Sequence, residues 1–176
     1  MQMHEEKNGQ WQLDENGYVT YQKVVECSNL NKTKLYKRAM DYFVYNYRDV
    51  NSVIQNRDVA NGIIVAKGVF KNVHSLTDVL LSNIIDTWHL LKVEVKDGKA
   101  RITLSLTQYE ETVRGGELPD NHYLYPISVQ YPFNPNGYQK DLYEQAFQKS
   151  HLKALETIDL FERALKEGGV TKKDEW

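Results

Sequence analysis

The sequence predicts an α+β domain with a curved antiparallel sheet, in the order strand, helix, four or five strands, long helix. Three observations carry that reading. The first is the stretch from Trp88 to Tyr109, where apolar and polar residues alternate on both sides of Asp97-Gly98. Leu91, Val93 and Val95 alternate with Lys92, Glu94 and Lys96, and Ala100, Ile102, Leu104 and Leu106 alternate with Arg101, Thr103, Ser105 and Thr107. A two-residue Asp-Gly between such runs predicts a hairpin with a type I′ turn, whose central residues both need φ > 0. The second is the stripe Tyr143, Phe147, His151, Ala154, Ile158, Phe161 and Leu165, whose steps of three and four predict an amphipathic helix. The third is aromatic content: 12 Tyr, 5 Phe and 3 Trp suit a half-buried pleated surface. A sheet with one apolar face needs a cover, and the long helix supplies it.

Taken in order, residues 1–16 read as a mobile N-terminal arm with Trp11 and Leu13 as docking points. Asn16-Gly17 turns the chain into a strand over Tyr18–Cys27, with Val19, Tyr21, Val25 and Cys27 on one face and Lys23 as the exception. Asn31 is placed to cap a helix over Lys32–Tyr47 whose apolar stripe is Leu35, Ala39, Tyr42, Phe43 and Tyr47. Ser52–Arg57 and Gly62–Phe70 flank a polar loop and predict a second hairpin. Gly62–Ala66 is apolar on both faces, which predicts a strand covered on both sides. Ser75 followed by Asp78 matches a capping box and points to a short helix over Leu76–Ile84. Glu110–Asn121 is polar, contains Gly115-Gly116 and reads as a loop. Tyr123–Tyr131 alternates like a last strand, restricted to an edge or a bulge by Pro126. The final helix is expected from Gln139 to Glu167, stopped by Gly168-Gly169. Its 28 or so residues span on the order of 40 Å, enough to cross a sheet. The whole divides into the arm (1–16), a single α+β domain (17–169) and a frayed tail (170–176).

Composition excludes several classes. The chain has 176 residues, 41% hydrophobic and 26% charged, which is ordinary for one globular domain. A formal charge of −2 supplies no concentrated positive field, so no nucleic-acid partner is expected. One cysteine, Cys27, permits neither an intrachain disulfide nor a cysteine zinc cluster. No apolar run reaches the roughly 18 residues of a transmembrane helix. The polar N-terminus lacks the apolar core of a signal peptide, so the chain is either cytoplasmic or has lost its leader.

Several segments resemble those of a known family. They are Gly17-Tyr18-Val19 leading to Val24-Val25-Glu26, Leu35-Tyr36-Lys37-Arg38-Ala39, Ser52-Val53-Ile54-Gln55, Ile64-Val65-Ala66-Lys67-Gly68, and Val93 to Lys99. Together they resemble the bacterial domain-of-unknown-function family with a TATA-binding-protein-like fold, over about Trp11–Tyr109. The resemblance implies a strand–helix–strands–helix fold and a periplasmic or envelope-associated protein of Gram-negative gut bacteria. It implies no activity and no catalytic residues. The chain departs from the family pattern between Lys71 and Asp86, where it is longer. Likeness of fold to a DNA-bending protein carries no function with it. The exposed face offers Arg101, Lys92 and Lys96 beside Glu94, without an apolar wedge.

No catalytic motif and no metal-ligand spacing occurs, so neither an enzyme nor a cofactor is expected. Glu110-Glu111 are adjacent, so in a strand their side chains point opposite ways. Asp141 and Glu144 lie off the apolar stripe. The histidines His89 and His151 fall on faces that the long helix would bring together. Either each is bonded to a backbone carbonyl at the core edge, or the pair holds a polar ligand or a metal. With Tyr123, Tyr125 and Phe147 they are the candidate ligand-binding residues. The expected function is a non-enzymatic binding or structural module of the envelope that contacts a protein or a glycan. The alternative is a carrier of a small apolar ligand, held in a cavity between sheet and helix.

Overall fold

A computed structural model of the chain describes residues 11–47, 53–115 and 119–168. Most of the expected arm, and the tail from 170 onward, lie outside the described residues. The elements are strands β1 (Gln12–Leu13) and β2 (Val19–Glu26), helix α1 (Lys32–Asn46), strands β3 (Ile54–Asp58), β4 (Ile63–Thr77), β5 (Ser82–Lys96), β6 (Lys99–Arg114) and β7 (Asn121–Pro126), a 3₁₀ turn (Ile127–Val129) and helix α2 (Lys140–Glu167). The strands form one seven-stranded antiparallel sheet in the order β1-β2-β6-β5-β4-β3, with β7 paired to β6. This is the α+β class that the alternation and the two helical stripes predict.

Local chemistry accounts for the boundaries. Asn31 caps α1 by accepting from the Lys34 amide at 2.9 Å. At the other end of the chain, Gly168 leaves α2 at φ +86° and returns its amide to Ala164 O at 3.0 Å. Between β5 and β6 the turn falls at Asp97-Gly98, but only Gly98 takes a positive φ, so it is not type I′. Asp97 is engaged elsewhere: its carboxylate accepts from the Lys32 amide at 2.7 Å, while Gly98 donates to Leu30 O and accepts from Cys27 N. The turn doubles as an anchor for the start of α1.

Four expectations are corrected. Leu76–Ile84 is not a helix, because β4 runs to Thr77 and β5 starts at Ser82. Asp78 does cap backbone amides, but those of Leu80 and Leu81 in a tight hairpin turn. Glu110–Arg114 is strand, not loop, since its polar side chains find partners on neighbouring strands. The last strand ends at Pro126, and Ile127–Val129 form a 3₁₀ turn. Finally, β4 buries Ile64 and Ala66 but leaves Ile63 and Val65 half-buried, so only one of its faces is closed.

Contacts divide the chain into two compact units, and β2, β4, β5, β6 and α2 contribute a segment to each. The first comprises the described parts of Met1–Tyr21, Gly68–Leu90 and Ser105–Leu155. Its interior is aromatic: Tyr109 lies 5.1 Å from Tyr143, and Phe147 meets Tyr131 at 5.5 Å and Trp11 edge-on at 5.9 Å, centroid to centroid. The second comprises Gln22–Lys67, Leu91–Leu104 and the described part of Glu156–Trp176. There Leu35, Ala39 and Phe43 of α1, Ile158, Phe161 and Leu165 of α2, and the Leu91–Val95 and Ala100–Leu104 rows are buried. Arg38 donates to the carbonyls of Leu165 and Lys166 at 2.7 Å each, satisfying acceptors that the end of α2 leaves open.

Candidate functional site

In the first unit, strand alternation sorts side chains onto two faces. Thr87 bonds Ser150 of α2 at 2.8 Å, so the odd-numbered residues of this part of β5 look toward the helix and Trp88 looks away. A row of polar and aromatic groups lies on that opposite face, from β4 to β7. Lys71 Nζ stands 2.6 Å from Asp86 Oδ2 and 5.9 Å from the centre of the Trp88 ring. The Trp88 indole N–H donates to Glu110 Oε2 at 2.8 Å, and Glu110 Oε1 is 3.5 Å from His122 Nδ1. Thr112 Oγ1 is 3.1 Å from the same His122 nitrogen, as their pairing across β6 and β7 requires. Asp86 also accepts from the Asn72 amide at 2.6 Å, holding Asn72 at φ 48°. Trp88 is partly exposed, and both Lys71 and His122 are open to water.

The helix-facing side of the same strands holds a second group. Glu111 is 2% exposed and accepts from Asn83 Nδ2 at 2.7 Å and from the Tyr143 hydroxyl at 3.1 Å. The neighbouring residues Glu110 and Glu111 therefore serve opposite faces, as their adjacency in a strand predicts. Burial, then the negative charge of Glu111, pushes the Tyr143 hydroxyl far above the ordinary tyrosine range, so it stays a donor.

The five candidate residues fall into three places. Tyr123 and Tyr125 stack at 6.4 Å on the edge strand β7, and Tyr125 meets Tyr143 edge-on at 5.9 Å. Phe147 is buried and lies 6.4 Å from His151, whose Nδ1 is 2.9 Å from the Tyr21 hydroxyl. His89 stacks on Phe70 at 4.1 Å, buried, with no regular hydrogen bond at either ring nitrogen. The two imidazoles pack against different rings, His89 against Phe70 and His151 beside Tyr21. Among the described residues no group of three metal-ligating side chains occurs. The sequence reading overlooked Lys71, Trp88, Glu110 and His122 as a row. Parity was the available signal, since Trp88 sits between His89 and Thr87 on the polar phase of an otherwise apolar strand.

Burial lowers the His89 pKa from 6.5 to about 4, opposed by a smaller contribution from a hydrogen bond to the Thr87 backbone. On acidification the unfolded chain takes up this proton first. Stability should therefore fall between pH 6.5 and about 4, by roughly 3 kcal/mol from this residue. His89→Leu removes a buried imidazole whose nitrogens make no regular hydrogen bond and should flatten the acid limb, with a gain of about 1 kcal/mol at neutral pH. Urea denaturation across that pH range checks it, and equal acid limbs in both proteins would contradict it.

Surface grooves lie among the described residues of the second unit. One, of about 420 Å³, is lined by Val24, Asn61, Lys96, Lys99 and the Arg101–Glu94 pair, whose closest approach is 2.8 Å. Another, of about 210 Å³, lies between Tyr42, Tyr45 and Arg163. Arg101, more than Lys92, holds the Glu94 carboxyl below the usual range. In the first unit, the β4–β5 turn exposes Leu76, Val79, Leu80 and Leu81, with Val79 98% exposed. No helix among the described residues is long and apolar enough to cross a membrane.

Comparison with known proteins agrees with this architecture. A family model described as a domain of unknown function (DUF4468) with TBP-like fold matches residues 21–110. A crystal structure of a DUF4468 family protein from Bacteroides ovatus ATCC 8483 is similar at TM-score 0.53 and 14% identity, over 90% of this chain and 92% of that one. A TBP-like protein from Parabacteroides distasonis ATCC 8503 is similar at TM-score 0.60 and 16% identity, over 89% and 97%. Identities this low speak to the fold alone. Among curated proteins none matches the chain.

Proposed function

Because the chain belongs to the DUF4468 family, whose fold is TBP-like and whose function is unassigned, we propose that it is a non-enzymatic binding module of the bacterial envelope, and that it takes a glycan on the open sheet face of its first unit. The observation that carries this reading is Trp88, a partly exposed indole fixed through its N–H by Glu110 and flanked by Lys71, Asp86 and His122. A sugar presents an apolar C–H face to such a ring and hydroxyls to the charged groups around it. Pairing within the row holds those groups in place before the ligand arrives, which lowers the ordering cost of binding. The same pairing supports binding over catalysis, since Asp86 and Glu110 are both engaged and neither stands free as a general acid or base. One lysine and one histidine face two carboxylates in the row, a balance unsuited to a phosphate backbone. A protein partner is the second reading, favoured by the exposed leucines and Val79 of the β4–β5 turn. The envelope location rests on the family resemblance, and fractionation of the native host tests it.

Tryptophan fluorescence titrated with laminarin, pullulan and chondroitin sulfate tests the glycan reading. One of the three should give a saturable change. Trp88→Ala should abolish it, and Glu110→Gln, which weakens the hold on the indole, should reduce affinity about tenfold. No saturable response to any of them, or an undiminished response in Trp88→Ala by calorimetry, would contradict the proposal.

A further inference from the structure

We propose that Glu111 and the tyrosines around it form a site for a small organic ammonium ion. The site lies on the other face of β6 from the Trp88 row and does not depend on the glycan reading. Glu111 is almost wholly buried, yet both of its bonds come from neutral donors, Asn83 and Tyr143. Among the described residues no lysine, arginine or histidine pairs with it. A buried carboxylate is ordinarily matched by a cation, because neutral hydrogen bonds offset only part of the loss of hydration. Among the described residues the Glu111 carboxylate is left without a counter-charge.

Its surroundings fit an ammonium group better than a metal ion. Gln139, held at φ 49° just before α2, turns its Oε1 toward Asn83 Nδ2 at 3.3 Å and donates from Nε2 to the Tyr138 hydroxyl at 2.7 Å. An amide oxygen and phenol oxygens thus gather near the carboxylate as acceptors for N–H groups. Tyr125, half-buried beside Tyr143 at 5.9 Å, supplies a ring that attracts an organic cation. Calcium or magnesium would need six or more hard oxygens and usually several carboxylates, whereas this site has one. Tyr138 is 64% exposed and Tyr125 half-buried, which puts the approach from solvent on that side.

Calorimetric titration of the full chain with methylammonium and with choline, against potassium and calcium chloride at matched ionic strength, tests the assignment. At least one amine should bind saturably below about 10 mM and raise the melting temperature, while the inorganic salts do neither. Glu111→Gln should weaken binding at least tenfold. Tyr138→Ala, at an exposed position where folding is not in question, should weaken it severalfold and leave the melting temperature of the free protein unchanged. Absence of amine binding, an equal response to potassium or calcium, or unchanged affinity in either variant would overturn the site.

Discussion

Replacing Phe161 by alanine should lower stability by about 3–5 kcal/mol in urea denaturation, the range for a deleted core aromatic. Phe161 is fully buried in the second unit, with the Tyr42 ring 4.1 Å and the Phe43 ring 5.5 Å away, centroid to centroid. It therefore joins α2 to the apolar stripe of α1 through three aromatic rings. Leu160, one position earlier and 40% exposed, is the control, and its truncation should cost well under 1 kcal/mol. If Phe161→Ala cost no more than Leu160→Ala, the helix would not be closing that core.

The second large effect is expected at a glycine with no room. Gly62 sits at φ +71°, and a Cβ there would lie 2.5 Å from Val95 O, a backbone atom that cannot swing aside. The same residue accepts from the Val95 amide at 2.8 Å, so displacement also strains that bond. Gly62→Ala should cost at least about 3 kcal/mol, combining left-handed backbone strain with overpacking. Gly98 has a similar φ of +75°, but its nearest neighbour, Ser28 Cα, is 3.7 Å away. Gly98→Ala should therefore show the conformational part alone, about 1–2 kcal/mol. Thermal and urea unfolding of the pair separates the two causes, and equal losses would remove the role given to Val95 O.

Elements whose signals are local were readable from the residues. Asn31 begins α1 because its side chain reaches an amide three residues on, and Gly168 ends α2 because the chain must turn left-handed there. The stripe Phe147, Ile158 and Phe161 is buried as its spacing demands. Errors arose where one short-range signal serves two structures. Ser75 and Asp78 fit a helix start, yet an aspartate accepting from amides two and three residues ahead closes a hairpin turn equally well. Glu110 and Glu111 read as loop because what makes them strand residues is remote: Trp88, Asn83 and Tyr143 lie between 22 and 32 residues away in sequence.

The candidate site was half visible for the same reason. Tyr123 and Tyr125 were found through alternation, and the structure stacks them and sets Tyr125 beside Tyr143. Nothing local, however, links Lys71 on β4 to His122 on β7, and only the sheet order brings the row together. His89 and His151 were paired by phase alone. Phase fixes a face but not a neighbour, and the structure sets His89 on Phe70 and His151 beside Tyr21.

The open face of the first unit is tested most directly by nuclear magnetic resonance, titrating the labelled protein with laminarin, pullulan and chondroitin sulfate. One of these should shift the Trp88 indole N–H and the amides around Glu110, Thr112 and His122, and leave the groove beside Arg101 undisturbed. A still Trp88 indole throughout, or shifts gathered at that groove, would contradict it.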